Sequence, residues 1–247
     1  MAAQPALAEL PFAVADFPAG TVLASGNSWG KDNTNIDVYT SQDSCHTWEF
    51  VSNVARGSGP DTTNGNPCIW EPFIQIFNHT IGVYYSDQRD PLHAQTLFHQ
   101  ESTDLRSWGP VVDDVAYLNY TARPGMTGMS HIAPLDKWNL VHEFPGDDSW
   151  SGADYPVYYS LSTSPFDFHF SYGVPIMVME YNQAHLLTWS GPRSAVPMEP
   201  LLSVTPITAV SSQIDSAASL INGKSMLHLN RRRTAGACTS LQVKMIT

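Results

Sequence analysis

The sequence predicts an all-β chain folded by radial repetition, a β-propeller forming a single domain over residues 1–247. Three observations carry that expectation. A motif rich in serine and aspartate returns at a near-constant interval. Short β-branched or aromatic runs alternate with turn signals along the chain. No stretch shows the 3.6-residue apolar period of an amphipathic helix. The 18 prolines and 16 glycines supply many turns.

The repeat is the strongest of the three. Ser41-Gln42-Asp43-Ser44-Cys45-His46-Thr47-Trp48 returns as Ser102-Thr103-Asp104-Leu105-Arg106-Ser107-Trp108 and, faded, as Ser162-Thr163-Ser164-Pro165-Phe166-Asp167-Phe168. The serines stand 61 and then 60 residues apart. A fixed period with hairpins between the copies marks stacked sheets around an axis. The aspartate caps a tight turn by accepting backbone N–H bonds, and the terminal aromatic is expected between neighbouring sheets. The motif resembles the Asp box of sialidase-like propellers, with Cys45 where that pattern has glycine. Trp48 and Trp108 are therefore expected at equivalent positions of successive blades. At this period the chain holds about four blades, so a six-bladed ring would be incomplete. Uncovered sheet faces at both ends would favour association.

The elements follow in order. Residues 21–25 and 35–40 read as strands. Residues 73–77 and 81–86 flank Asn78-His79 as a hairpin, and 129–135 and 139–144 flank Asp136-Lys137 as another. Residues 157–163 form a further strand. Residues 220–221 and 225–229 flank Asn222-Gly223, the strongest two-residue turn signal in the chain.

Composition narrows the function. Apolar residues make up 43% and aromatics 11%, enough for a packed core, while charged residues are only 14%. A formal net charge of −11 repels phosphate backbones and anionic lipid, so neither nucleic acid nor membrane is an expected partner. Arg231-Arg232-Arg233 reads as a solvated run without a function. Cys45, Cys68 and Cys238 have no metal-ligand spacing, and their odd number leaves a thiol over after any disulfide. No apolar run is long enough to span a bilayer. The N-terminal stretch lacks the basic region of a signal peptide, and Glu9 and Asp16 interrupt its apolar residues. Asn78-His79-Thr80 and Asn119-Tyr120-Thr121 are glycosylation sequons.

Two carboxylates stand out. Glu71 lies in Ile69-Trp70-Glu71-Pro72-Phe73 at the start of a strand, and Glu143 lies in Leu140-Val141-His142-Glu143-Phe144 at the end of one. Carboxylates among bulky apolar residues are either desolvated or held by specific partners. A separation of one blade period plus about a strand brings both to the same end of a central channel. Two facing carboxylates suit glycoside hydrolysis. The plainer reading of each is an edge-strand residue facing solvent. His142, as a strand neighbour of Glu143, points to the opposite face. Tyr84-Tyr85-Ser86-Asp87-Gln88-Arg89-Asp90 combines flat rings with forked donors and acceptors, as sugar recognition requires, or else forms a salt-bridged turn. Asp154-Tyr155-Pro156-Val157-Tyr158-Tyr159 is similar.

These strings, with Trp108-Gly109-Pro110-Val111-Val112-Asp113-Asp114-Val115-Ala116-Tyr117 and Arg123-Pro124-Gly125-Met126-Thr127, resemble the fungal exo-α-1,5-L-arabinanases of glycoside hydrolase family 93. The resemblance runs from about Gly20 to Tyr172. It implies a six-bladed sialidase-like propeller, secreted, and a monomer when complete. It also implies retaining release of arabinobiose from linear arabinan. In that frame Glu71 is the nucleophile and Glu143 the acid/base. Trp70, Tyr85, Asp87, Gln88, Arg89, Arg123, Tyr155 and Tyr158 are expected to bind substrate, and no metal or organic cofactor is implied. The family's signal peptide and a whole blade before the point matching Ala19-Gly20 are expected to be missing. A later blade is expected to be shortened, with 194–200 as a surviving island. Two rival readings remain: a non-catalytic propeller that binds a carbohydrate or protein, and a sialidase, for which Arg89 and Arg123 are the mid-chain arginines in suitable strings.

Overall fold

The computed structural model of the chain describes residues 2–145, 155–169, 171–180, 183–186, 226–228 and 244–246. Three four-stranded antiparallel sheets follow one another in chain order. The first is β1 (Ala2–Glu9), β2 (Val22–Trp29), β3 (Asn33–Ser41) and β4 (Glu49–Ser58). The second is β5 (Ile69–Phe77), β6 (Thr80–Asp87), β7 (Thr96–Ser102) and β8 (Val112–Val115). The third is β9 (Gly125–Ile132), β10 (Lys137–Glu143), β11 (Val157–Ser162) and β12 (Val174–Pro175). Each sheet is a meander whose consecutive strands pair, the four-stranded blade of a propeller. Two short ribbons complete the described residues: β13 (Met177–Glu180) with β14 (Gln183–Leu186), and β15 (Met226–His228) with β16 (Lys244–Ile246).

Successive sheets are glued face to face. Leu23, Ile36, Val38 and Val54 of the first sheet pack on Ile69, Ile81, Val83, Tyr85 and Phe98 of the second. Tyr84 and Leu97 of the second pack on Met129, Leu140 and Tyr158 of the third. The second sheet is thus covered on both faces, and all of β6 from Ile81 to Asp87 is buried. The first strands of the blades, β1, β5 and β9, lie against one another along the inner edge.

The repeated motif occupies the same turn in every blade, between the third and fourth strands. Ser41, Ser102 and Ser162 end β3, β7 and β11. Asp43 accepts from the backbone N–H of His46 (3.1 Å) and Thr47 (2.9 Å) and from the Thr47 hydroxyl (2.6 Å). Asp104 accepts from the N–H of Arg106 (2.8 Å) and Ser107 (2.7 Å). These donors hold both carboxyls well below the usual range, Asp104 at about 2. The third copy has Ser164 in the aspartate position: Ser162 Oγ donates to the Asp167 carbonyl (2.5 Å) and accepts from Ser164 N–H (3.2 Å), and Ser164 Oγ accepts from Phe166 N–H (3.2 Å). Cys45 has φ +69°, the left-handed region that the glycine of the motif adopts freely. Trp48 and Trp108 both lie in the turn between the third and fourth strands of their sheets. Trp108 donates Nε1–H to Ser52 Oγ of the preceding sheet (3.0 Å), while Trp48 is 38% exposed.

Several strand expectations change. β1 forms from an Ala-rich segment that carries no strand signal, and it supplies the inner strand of the first blade. β4, β7 and β8 were likewise unread. The strand expected over 129–135 ends at Ile132, followed by a 3-10 turn over Ala133–Leu135. Within Ser225–Leu229 the described residues, Met226–His228, form a strand paired with Lys244–Ile246. The Asn222-Gly223 turn, the 194–200 island, Arg231–Arg233 and Cys238 lie outside the described residues. The expected four blades become three four-stranded sheets among the described residues. Cys68 is a buried thiol, kept protonated by its burial.

Candidate active site

The ends of the sheets opposite the Asp boxes form the mouth. There β5 and β9 start, β6 and β10 end, and the 59–68, 88–95 and 116–124 loops converge. Each inner strand has a bulge at this end. Register breaks between Ala3 and Ala6 in β1, between Trp70 and Phe73 in β5, and on β10 between Val141 and Glu143 opposite β9. At each break one residue has positive φ: Gln4 at +49°, Glu71 at +58° and Met126 at +54°. Bulges re-aim side chains and cluster beside active sites. Gln4 and Glu71 are each followed by proline, whose missing N–H a bulge tolerates. A left-handed glutamate is backbone strain located at a functional candidate.

The three bulges meet at the Glu71 carboxylate. Its Oε2 accepts from the Ser86 hydroxyl (2.8 Å) and from the Met126 backbone N–H (3.0 Å), and its Oε1 accepts from Gln4 Nε2 (3.2 Å). Gly125 lets it fit: a Cβ there would stand 2.8 Å from Glu71 Oε2 and 3.1 Å from Gln95 Nε2. Gly125 is the β9 residue paired with Glu143 of β10. Glu143 therefore stands across one strand pairing from the residue against which Glu71 rests. Burial and then the negative charge of Glu71 push Glu143 up to about 7. Burial also raises Glu71, opposed by its three hydrogen bonds and by the charge of Arg123. Among the described hydrogen bonds Glu71 is the well-donated carboxylate of the pair, and Glu143 is held by desolvation.

Arg123 is a fixed cation of the mouth. Its guanidinium lies 5.4 Å from the Trp70 ring centroid, and it donates to the Thr62 carbonyl (3.1 Å) and to Asn64 Oδ1. Tyr155, 40% exposed, acts on its electrostatics. Arg123 thus links three of the expected residues to Glu71: its charge acts on Glu71, its guanidinium lies over the buried Trp70 ring, and Tyr155 acts on it in turn.

The remaining expected contacts are mostly tied into the scaffold. Tyr85 is fully buried between the first two sheets and donates to Gln100 Oε1 (2.9 Å). Asp87 is fully buried and receives Arg89 through Nε (3.0 Å) and Nη2 (2.5 Å), while Arg89 Nη1 also bonds the Arg56 carbonyl (3.1 Å). Gln88 is 3% exposed and donates to the Thr62 carbonyl (3.3 Å). Tyr158 packs in the core between the second and third sheets. Of these five, Tyr85, Asp87, Gln88 and Tyr158 are buried, while the Arg89 side chain is 32% exposed and tied to Asp87. Strand alternation predicted that His142 points away from Glu143. It is buried, bonds the Tyr117 hydroxyl at 2.8 Å and is kept neutral, its value pulled down to about 3 by desolvation. Sequence reasoning missed Gln4 and Asn64, which carry no motif, and gave no role to Met126 within the 123–127 string. Among the described residues no cluster of His, Cys, Asp and Glu has metal-binding geometry, and no helix is long and apolar enough to cross a membrane.

Comparison with known proteins follows this geometry. No family model and no curated protein matches the chain. Among solved structures, a family 93 α-L-arabinofuranosidase of Fusarium graminearum with arabinobiose is 45% identical over 67% of this chain and 48% of its own, with a TM-score of 0.63. The Fusarium graminearum α-L-arabinofuranosidase with an iminosugar inhibitor aligns at 41% identity over 75% of this chain and 52% of its own, TM-score 0.69. The Penicillium chrysogenum α-L-arabinanase complexed with arabinobiose aligns at 39% identity over 71% and 50%, TM-score 0.67. The chain spans about half the length of these relatives.

Proposed function

The chain belongs to glycoside hydrolase family 93, and from that premise we propose that it is a retaining exo-arabinanase that releases arabinobiose from α-1,5-linked arabinan. The observation that carries the reading is the asymmetry of the carboxylate pair. Burial raises both carboxyls, but Glu71 accepts three hydrogen bonds beside Arg123 that oppose this, whereas Glu143 is pushed up to about 7 by burial and by the charge of Glu71. Environments that push two carboxylates apart define an acid and a nucleophile.

In this reading Glu143 gives its proton to the leaving glycosidic oxygen as the Glu71 carboxylate attacks the anomeric carbon, forming a glycosyl ester. Glu143, now ionised, takes a proton from water, and that water displaces Glu71 from the anomeric carbon. Two inversions give net retention, for which the carboxyls stand roughly 5–5.5 Å apart in the working complex. Tyr155, 40% exposed, is the ring open to sugar, while Trp70 is 5% exposed and backs Arg123. The rival sialidase reading loses Arg89, which is spent on Asp87. Family membership supports an extracellular enzyme, for which the exposed Asn78 and Asn119 would be open to glycosylation.

The test is azide rescue. Glu143→Ala assayed on an activated aryl arabinoside should recover turnover with azide and yield the glycosyl azide of retained configuration. Glu71→Ala should yield the inverted azide. Retained azide from Glu71→Ala, or wild-type protein that binds arabinan without cleaving it, overturns the reading.

A further inference from the structure

The bulge of β1 brings a side chain 67 residues away in sequence onto Glu71. Gln4 stands where Glu71 and Met126 stand in their own inner strands: left-handed, at a break of register, near the mouth. The three copies of this one feature make three different contributions. Glu71 supplies the carboxylate, Met126 supplies a backbone donor to Oε2, and Gln4 supplies a side-chain donor to Oε1. Gln4 is itself steered. Asn27, fully buried in β2, donates Nδ2–H to Gln4 Oε1 at 3.2 Å. With that oxygen occupied, the amide presents nitrogen to the carboxylate. The flipped amide would set Gln4 Oε1 against Glu71 and its NH2 against the Asn27 NH2, both repulsive.

We propose that Gln4 is a positioning residue of the active site: held by Asn27, it fixes the second oxygen of the Glu71 carboxylate so that Ser86 and Met126 on one oxygen and Gln4 on the other set its plane for attack. This rests on the reading of Glu71 as nucleophile. A carboxylate clamped on both oxygens has lost rotation about its last torsion before substrate arrives, and such orientation lowers the barrier without adding binding. The relation is between blades. The first blade contributes an amide where the second contributes the reacting carboxylate, so one backbone device repeated around the axis is reused for different chemistry.

The experiment compares Gln4→Met, which keeps length and removes the donor, with Gln4→Glu, which keeps shape and replaces the donor by a charge. Two readouts are taken on folded protein: the carboxyl titration of Glu71 by NMR of glutamate-labelled protein, and the pH profile of arabinan hydrolysis. Losing a donor to the ionised form raises the Glu71 value, by roughly half a unit to one unit for Gln4→Met and more for Gln4→Glu. The acid limb of kcat should move up by the same amount. At the optimum kcat should fall about 3- to 30-fold in Gln4→Met with KM little changed, the mark of an interaction that matters at the transition state. A merely structural Gln4 would lower the melting temperature and leave both titrations in place, and that result overturns the proposal. Wild-type protein that hydrolyses nothing, with the Glu71 titration still moving in both variants, would instead strike the proposed activity and leave the hold of Gln4 on Glu71 standing.

Discussion

The two ends of the blades treat the same functional group in opposite ways. At the Asp-box end, Asp43 and Asp104 sit within turns whose own N–H groups and hydroxyls bind them, and both are held low. At the mouth, Glu71 and Glu143 lie against apolar strands and are both raised, Glu143 to about 7. The first arrangement is complete within a few residues of chain. The second exists only once two sheets and part of a third have assembled. Local satisfaction lowers a carboxyl, and long-range burial raises one.

The largest expected effect breaks the comparison at the mouth. Glu71→Gln should cut arabinan turnover by roughly 10³-fold or more while the melting curve stays within a few degrees of wild type, since an uncharged amide replaces a desolvated carboxylate. Circular dichroism and product chromatography check both halves. An equivalent loss from Asp104→Asn would contradict the division between the two ends.

The pH response sharpens it, because the two ends have opposite signs. Asp104, lowered to about 2, contributes stability that is present above the ordinary carboxylate value and is lost as pH falls towards 2. Glu143, raised to about 7, contributes stability below its unfolded value near 4.5, which is lost as pH rises through 7. Melting temperature should therefore decline from about pH 4.5 to 7 in wild type, in the direction set by linkage, and decline less in Glu143→Gln. The same titration should give kcat/KM a basic limb near 7.

A smaller effect tests the seam between blades. Ser52 accepts from Trp108 Nε1–H and donates to the Leu105 carbonyl at 2.6 Å, joining the first sheet to the Asp box of the second. Ser52→Ala leaves the Leu105 carbonyl without that donor and should cost about 1–3 kcal/mol in chemical denaturation, with kcat unaltered. The smallest belongs to Tyr85. Tyr85→Phe removes a buried hydroxyl bonded to Gln100 and should cost ~1 kcal/mol of stability, with no change in KM for arabinan. A raised KM would return Tyr85 to the substrate-binding residues.

What the sequence disclosed follows the same division. The Asp boxes were legible because their hydrogen bonds close within the motif, so residue type and spacing suffice. Glu71 and Glu143 were legible as carboxylates in apolar strings. The tyrosines misled. In a sheet with one wet face, alternating aromatics expose every second ring, but the second sheet is packed on both faces and β6 hides Tyr84 and Tyr85 together. β1 was invisible because Ala-Ala-Gln-Pro-Ala-Leu-Ala-Glu has weak strand propensity, and its pairing with β2 decides its conformation. Gln4 was beyond reach for the same reason, since its role appears only when the β1 bulge meets β5.

The central claim is that the mouth pair performs double displacement with Glu71 as nucleophile. The most direct measurement is to trap the intermediate with an activated 2-fluoro arabinofuranoside and locate the adduct by peptide mass mapping. The account predicts one glycosyl adduct on the peptide carrying Glu71, formed with loss of activity and hydrolysed slowly on standing. An adduct on Glu143 or on any other residue would contradict it, as would continued arabinan cleavage with no adduct formed.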